Sequence, residues 1–149
     1  MELMAIDRFE RFFRLVASID VDKEDLRRFN DLINRKIYDL LVRGEAIAKS
    51  NDRDIIQPND LPITKGLQEC IHAFRNINEE ISLSAILDQL TKLPPLDLDY
   101  NDETRAQLPE IAGGLGVALA RSFNIFDEDV KNPLPQHWDK AFRMFDLLL

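Results

Sequence analysis

The sequence predicts an all-helical protein built from one short-long-short helical unit used twice, and three observations predict it. Apolar residues recur almost throughout the 149 residues at spacings of three and four, the period of a helix with one buried face. Strand-like stretches are confined to short pairs such as Ile55-Ile56. The second half repeats the plan of the first, which implies that each half lacks a complete core and buries its apolar face on the other.

The first helix carries Ile6, Phe9, Phe13 and Val16 on one stripe, widened by Phe12, Leu15 and Ile19. The second is long, with Leu26, Phe29, Ile33, Ile37, Leu40, Gly44 and Ile47 holding the period and Asp22 placed to cap its start. Its outer face pairs Glu24 with Arg28, Asp31 with Arg35, Asp39 with Arg43 and Glu45 with Lys49, acid before base at i,i+4. Ser50-Asn51-Asp52 ends it, and Pro58 is set to begin a third helix striped by Leu61, Gly66, Leu67, Cys70, Ile71 and Phe74. In the second half Ile81, Leu83, Ile86, Leu87 and Leu90 make a short helix that Pro94-Pro95 ends. A long segment from Asn101 to Phe126 follows, Val130 takes the place of Ile55, Pro133 matches Pro58, and Trp138, Phe142 and Phe145 lie on a last helix. The boundary between the repeats falls between residues 78 and 79 of a single domain spanning 1–149. Pro109 inside the second long helix is expected to kink it or to divide off its first turn. Gly113, Gly114 and Gly116 each weaken a helix by about 1 kcal/mol relative to alanine, so a close crossing of the two long helices is expected there, with Leu40 and Leu41 meeting the glycines.

Composition excludes several classes of function. Hydrophobic residues make up 45% and charged residues 31% of the chain, a globular balance rather than a disordered one. Charges interrupt every apolar stretch well short of a membrane span, and the first residues, with Glu2 and Asp7, do not read as a secretory signal. A cytoplasmic location is expected. Cys70 is the only cysteine, so no intrachain disulfide can form, and an inert, packed thiol is the expected role. The net charge is −8, so affinity for nucleic acid would require a local basic patch.

Residues 53–61, RDIIQPNDL, resemble the end of an archaeal histone, and the short-long-short plan resembles the histone fold. The whole chain is similar to a prokaryotic family of single-chain histone-fold doublets, uncharacterised in function. That resemblance implies two tandem histone folds packed as an intramolecular pseudo-dimer. It also implies an ion pair between Arg53, in the second loop, and Asp60, seven residues on at the start of the last helix of the unit. Glu128 and Pro135 stand at the corresponding places of the second half, so no matching pair is expected there.

Other constellations are weaker. Asp20-Asp22-Glu24 and Asp97-Asp99-Asn101 have the opening oxygens of a calcium loop, but Asp25 and Asp102 stand where that loop needs glycine and no glutamate closes it; helix capping is the better reading. The Gly113-Gly114-Leu115-Gly116 run has neither a preceding strand nor a following Lys-Ser/Thr, so it is no phosphate loop. His72 and His137 have no cysteine cluster for zinc, and no serine has the flanking glycines of a nucleophile elbow. No cofactor, no metal and no enzymatic activity are expected.

Two functions remain. In one, the resemblance carries DNA binding with it, through Arg8, Arg11 and Arg14 on the first helix joined by Lys23, Arg27, Lys49 and Arg53. In the other, which is preferred, the chain is a protein-interaction or assembly module that keeps the fold without the DNA edge, its partner unidentified and self-association included. The loops decide between them. The resemblance places the first loop of each half beside the second loop of the other, joining DVDKED to DEDVKN and LDLDYND to NDRDIIQPND, and both edges are acidic.

Overall fold

The computed structural model describes residues 3–90 and 95–149, and among them the chain forms six α-helices with two strands of two residues each. Helix α1 (Leu3–Ala17) buries Phe9, Phe12 and Phe13. Helix α2 (Lys23–Ser50) begins in a reciprocal cap: the Asp25 amide donates to Asp22 Oδ1 at 2.9 Å and the Asp22 amide to Asp25 Oδ2 at 3.0 Å, so two of the donors a helix start leaves orphaned are satisfied. Strand β1 (Ile55–Ile56) follows, then a single 3-10 turn, Pro58–Asp60. Pro58 therefore starts one tight turn and not the expected helix. Pro62 is the reason: it disfavours helical backbone at Leu61, which is extended (φ −74°, ψ 126°). Helix α3 (Lys65–Ile81) begins only after Thr64, whose hydroxyl accepts from the Leu67 amide at 3.1 Å.

Helix α3 also runs past the expected repeat boundary at 78/79, ending at the left-handed Ser82. The short helix of the second half, α4, is thus Ser84–Leu90, and Asn78 Oδ1 accepts from the Leu83 and Ser84 amides at 2.7 and 3.0 Å where α3 hands over to it. The break expected at Pro94 lies outside the described residues. Strand β2 (Asp99–Tyr100) leads to α5 (Asp102–Phe126), capped by Asn101 Oδ1 on the Thr104 amide at 2.9 Å. Helix α5 continues through Pro109 with no turn divided off. Helix α6 (Pro135–Leu148) starts at Pro135 and not at Pro133; proline at the first helical position loses no hydrogen bond and has the right φ already.

Strands β1 and β2 pair in parallel, Ile55 beside Asp99 and Ile56 beside Tyr100, and the Ile56 carbonyl further accepts from the Asn101 amide at 3.0 Å and the Thr104 hydroxyl at 3.2 Å. At the opposite edge the Asp20 amide donates to the Lys131 carbonyl at 2.7 Å. Each half therefore presents its first loop to the second loop of the other.

The core is one cluster to which all six helices contribute. At its centre residues 111–117 of α5 are buried without a break, which an amphipathic helix does not do. The glycines make room for α3. A Cβ on Gly113 would clash with the Phe74 ring, and one on Gly114 would lie 2.5 Å from Ile71 Cγ1 and 2.9 Å from its backbone nitrogen; only Gly116 faces α2, where Phe29 would be met at 3.1 Å. The close approach exists, but its partner is chiefly α3, and the nearest atoms are not those of Leu40 and Leu41. Of the four i,i+4 pairs expected on α2, only Glu45–Lys49 forms among the described residues; Arg27 reaches Glu24 instead, and Arg35 and Asp39 turn to Asp146 and Lys36.

Candidate functional site

The edge formed by β1 and β2 carries the carboxylates of Asp52, Asp54, Asp97, Asp99, Asp102 and Glu103, all exposed. The edge joining Asp20 to Lys131 carries Asp20, Asp22, Glu24, Glu128 and Asp129, likewise exposed, and the half-buried Asp127. Backbone bonding fixes both, so the acidic loops of the two halves are held side by side.

The seven cations that the sequence singles out meet different fates. Arg14 Nε donates to Asp20 at 2.8 Å, with Glu10 at 3.8 Å behind it. Arg27 pairs with Glu24 at 3.1 Å. Lys49 lies 3.3 Å from Asp97 of the other half and 3.7 Å from Glu45. Arg53 makes a two-pronged bond to Asp60, at 2.6 and 2.5 Å, the fork geometry that favours arginine over lysine. Arg8 donates to the Ser82 carbonyl at 3.3 Å, while Arg11 and Lys23 stand exposed. Lys23 and Arg27 line one concavity with Ile6 and Leu26, whereas Arg14 is paired at the Asp20 edge and Lys49 at the Asp97 edge.

Asp60 is almost wholly buried and also accepts from the Gln57 amide at 2.8 Å. The Arg53 guanidinium holds its carboxyl below the usual carboxylate range, against the opposing effect of burial. The second half ties the same loop with other chemistry: the Leu134 amide donates to Nδ1 of the buried His137, whose Nε2 lies 3.5 Å from Asp127 Oδ2.

Two polar contacts escape sequence reasoning and join α6 to α2. The Trp138 indole N–H donates to Asp25 Oδ1 at 2.8 Å, and burial raises the proton affinity of the Asp25 carboxyl. Lys36, 1% exposed, donates to Asp146 at 2.6 Å and Asp39 at 3.1 Å, and it is this ammonium that lowers the Asp146 pKa. A sequence signal for Lys36 exists, since it sits seven residues after Phe29 and four before Leu40, on the buried face.

An apolar groove of about 450 Å³ opens between α3, α5 and α6, lined by Leu67, Cys70, Ala118, Ile125, Phe145 and Leu148 among others. Burial pushes the Cys70 thiol up, against a smaller downward pull from Arg121, so the thiol stays protonated and weakly nucleophilic. Asp22 and Asn101, from the two calcium-like runs, cap helices. Among the described residues no three His, Cys, Asp or Glu side chains are grouped to hold a metal, and no helix is long and apolar enough to cross a membrane.

A family model described as a domain of unknown function, DUF1931, matches residues 9–146. Two uncharacterised proteins of Aquifex aeolicus (strain VF5) are similar, each 28% identical: one over 109 residues, 73% of this chain and 64% of the relative, the other over 130 residues, 78% of this chain and 75% of the relative. The chain thus spans just under two thirds of the first relative's length. Among solved structures, one from Thermus thermophilus is 48% identical with a TM-score of 0.86, covering 97% of both chains. Another, from Aquifex aeolicus, has a TM-score of 0.85 at 23% identity, covers 97% of this chain and 95% of its own, and shares the fold.

Proposed function

We propose that this member of the DUF1931 family is a non-enzymatic tandem histone fold, two halves folded on each other as a pseudo-dimer, that serves as a protein-interaction or assembly module with DNA binding suppressed. The chain belongs to that family over most of its length. The pseudo-dimer reading is supported by the short-long-short helix order repeated in α1 to α3 and α4 to α6, and by the reciprocal pairing of first and second loops at both edges.

One observation carries the functional reading: Arg14, Arg27 and Lys49, three of the seven cations a histone-like DNA edge would use, are already paired to exposed carboxylates of the same chain. Exposed pairs of this kind are individually worth only about 0–1 kcal/mol, so a phosphate can compete for the cation. The displaced carboxylate nevertheless stays tethered beside that phosphate and repels it, which removes the counterion-release gain on which such binding depends. DNA binding through Arg8, Arg11 and Lys23 is the second reading, favoured only by the exposure of the last two.

Titration of a DNA duplex at low and at physiological salt tests the choice. Wild-type protein is expected to give no shift at physiological salt. Replacing Asp20, Asp52, Asp54 and Asp129 by lysine is expected to create binding that weakens steeply with added salt while helical content stays constant. Tight, salt-sensitive binding by the wild-type chain overturns the proposal.

A further inference from the structure

We propose that α6 is exchangeable, so that the C-terminal helix of one copy docks on the body of a second and the pair forms a swapped dimer. This deepens the assembly reading above, on which it rests, by naming the partner as another copy of this chain.

The connection into α6 is built to extend. Residues 127–134 link α5 to α6, and Asn132 and Leu134 each precede a proline, which disfavours helical backbone at both. Asp127 (φ −156°, ψ 106°) and Leu134 (φ −99°, ψ 161°) are already extended at the two ends of the link. A segment of that length reaches up to about 26–29 Å when straight, and opening it breaks the turn that the Val130 amide closes on the Asp127 carbonyl at 3.2 Å and draws Val130 from the core, a rearrangement confined to the hinge.

The attachments of α6 specify what can occupy its seat. Trp138 donates to Asp25 and stacks edge-on against Phe123 at 5.0 Å, Asp146 meets Lys36, and Arg35 lies over the Phe142 ring at 5.7 Å. Each of these joins α6 to α2 or α5, so each is remade unchanged when α6 comes from another copy, as domain exchange requires. Only bonds at the hinge differ, such as Asp20 to Lys131 and His137 to Asp127. The buried ammonium of Lys36 supplies the selectivity, because an apolar helix in that seat would strand it without its closest carboxylate, at a large desolvation cost. The carboxylate that fits is Asp146, and a second copy carries it together with the apolar face that matches the seat. Helix α3 has no such freedom, being interlocked with Gly113 and Gly114 in mid-chain.

Charge reversal in full-length protein tests the exchange. Lys36→Asp and Asp146→Lys each place like charges together in a closed monomer. After the two variants are unfolded and refolded together, a swapped heterodimer holds a native pair in one seat and a reversed pair in the other. Sedimentation equilibrium is expected to show a dimer fraction at least several-fold higher in the mixture than in either variant alone; a mixture that sediments as the sum of its parts overturns the proposal. Should the variants fail to fold singly and together, wild-type protein decides. Refolded at high concentration and then diluted, it is expected to retain a dimer by size exclusion with light scattering, reduced several-fold by Pro133→Ala with Pro135→Ala, and protein that stays monomeric throughout refutes the exchange. The DNA titration does not depend on the origin of α6, so failure of the exchange and failure of the reading on which it rests are told apart.

Discussion

The two helices that close the two halves, α3 and α6, are held in opposite ways. Helix α3 lies so close on α5 that Gly113 and Gly114 have no room for a methyl group against Phe74 and Ile71. Helix α6 meets α2 through directed polar contacts, Trp138 to Asp25 and Asp146 to Lys36. The second loops differ as well, with a two-pronged arginine-carboxylate bond before α3 and a histidine clip before α6. Repetition of a helix plan therefore does not imply repetition of its energetics. Both helices bury apolar side chains in the shared core; to this α3 adds a close approach of backbones, where dispersion contacts are lost sharply if the helices separate, and α6 adds hydrogen bonds whose net worth is modest but whose geometry is specific.

The sharpest way to break this comparison is to add one carbon to the α3 side. In Gly114→Ala the new Cβ meets Ile71 at its backbone nitrogen, 2.9 Å, as well as at its side chain, so a rotamer change cannot relieve the clash and the helices must part. Overpacking of this kind costs about 3 kcal/mol, which outweighs the gain of about 1 kcal/mol from replacing a helical glycine. Gly66→Ala, with nothing within 4 Å of the added carbon, is expected to stabilise slightly. Urea unfolding of both variants checks the contrast, and equal effects would remove the packing argument.

The loops provide the next largest difference. Asp60→Ala removes a buried acceptor of three hydrogen bonds and is expected to cost about 2–3 kcal/mol. In a double-mutant cycle with Arg53→Met, the pair of substitutions should cost less than the sum. Because the Asp60 pKa is lowered in the folded state, its contribution is present above the unfolded value of about 3.9 and lost as pH falls through the folded value. The cost of Asp60→Ala should therefore shrink on acidification below about pH 4, which unfolding curves at several pH values measure.

Much of the all-helical plan is legible in the sequence because its signals are local. The stripe of α1, the cap at Asp22 and the Ile55-Ile56 pair each depend on neighbours within a turn or two. The 3-10 turn at Pro58 and the late start of α3 also follow from a local cause, Pro62 acting on Leu61. What is not legible depends on which surfaces meet. That Gly113 and Gly114 face α3 is set by the rotation of one helix against another, and a spacing within one helix carries no information about it. The burial of Lys36 could be suspected from its place on the apolar face, whereas its partner Asp146 lies 110 residues away. Nor does a count of acidic residues tell which cations they neutralise; Arg14 with Asp20 and Lys49 with Asp97 emerge only once the chain is folded.

The α6 side yields the smallest effect, and its sign with pH is opposite to that of Asp60. Asp25 receives two hydrogen bonds on different oxygens, from the Trp138 indole on Oδ1 and from the Asp22 amide on Oδ2. A carboxylate accepts at both, but an asparagine must turn its NH₂ toward one of those donors. Asp25→Asn is therefore expected to destabilise by about 1 kcal/mol at neutral pH, the worth of one hydrogen bond. Burial raises the folded pKa of Asp25, so its favourable contribution is fully present below the unfolded value of about 3.9 and declines as pH rises through the folded one. At neutral pH the wild-type chain bears the cost of keeping this carboxylate charged, a cost asparagine does not have. The penalty of Asp25→Asn should thus be larger at about pH 4 than at pH 7, whereas that of Asp60→Ala should not grow on acidification. Parallel denaturation curves at the two pH values decide the matter, and a penalty that is constant or grows toward neutrality would show that burial does not govern this carboxyl.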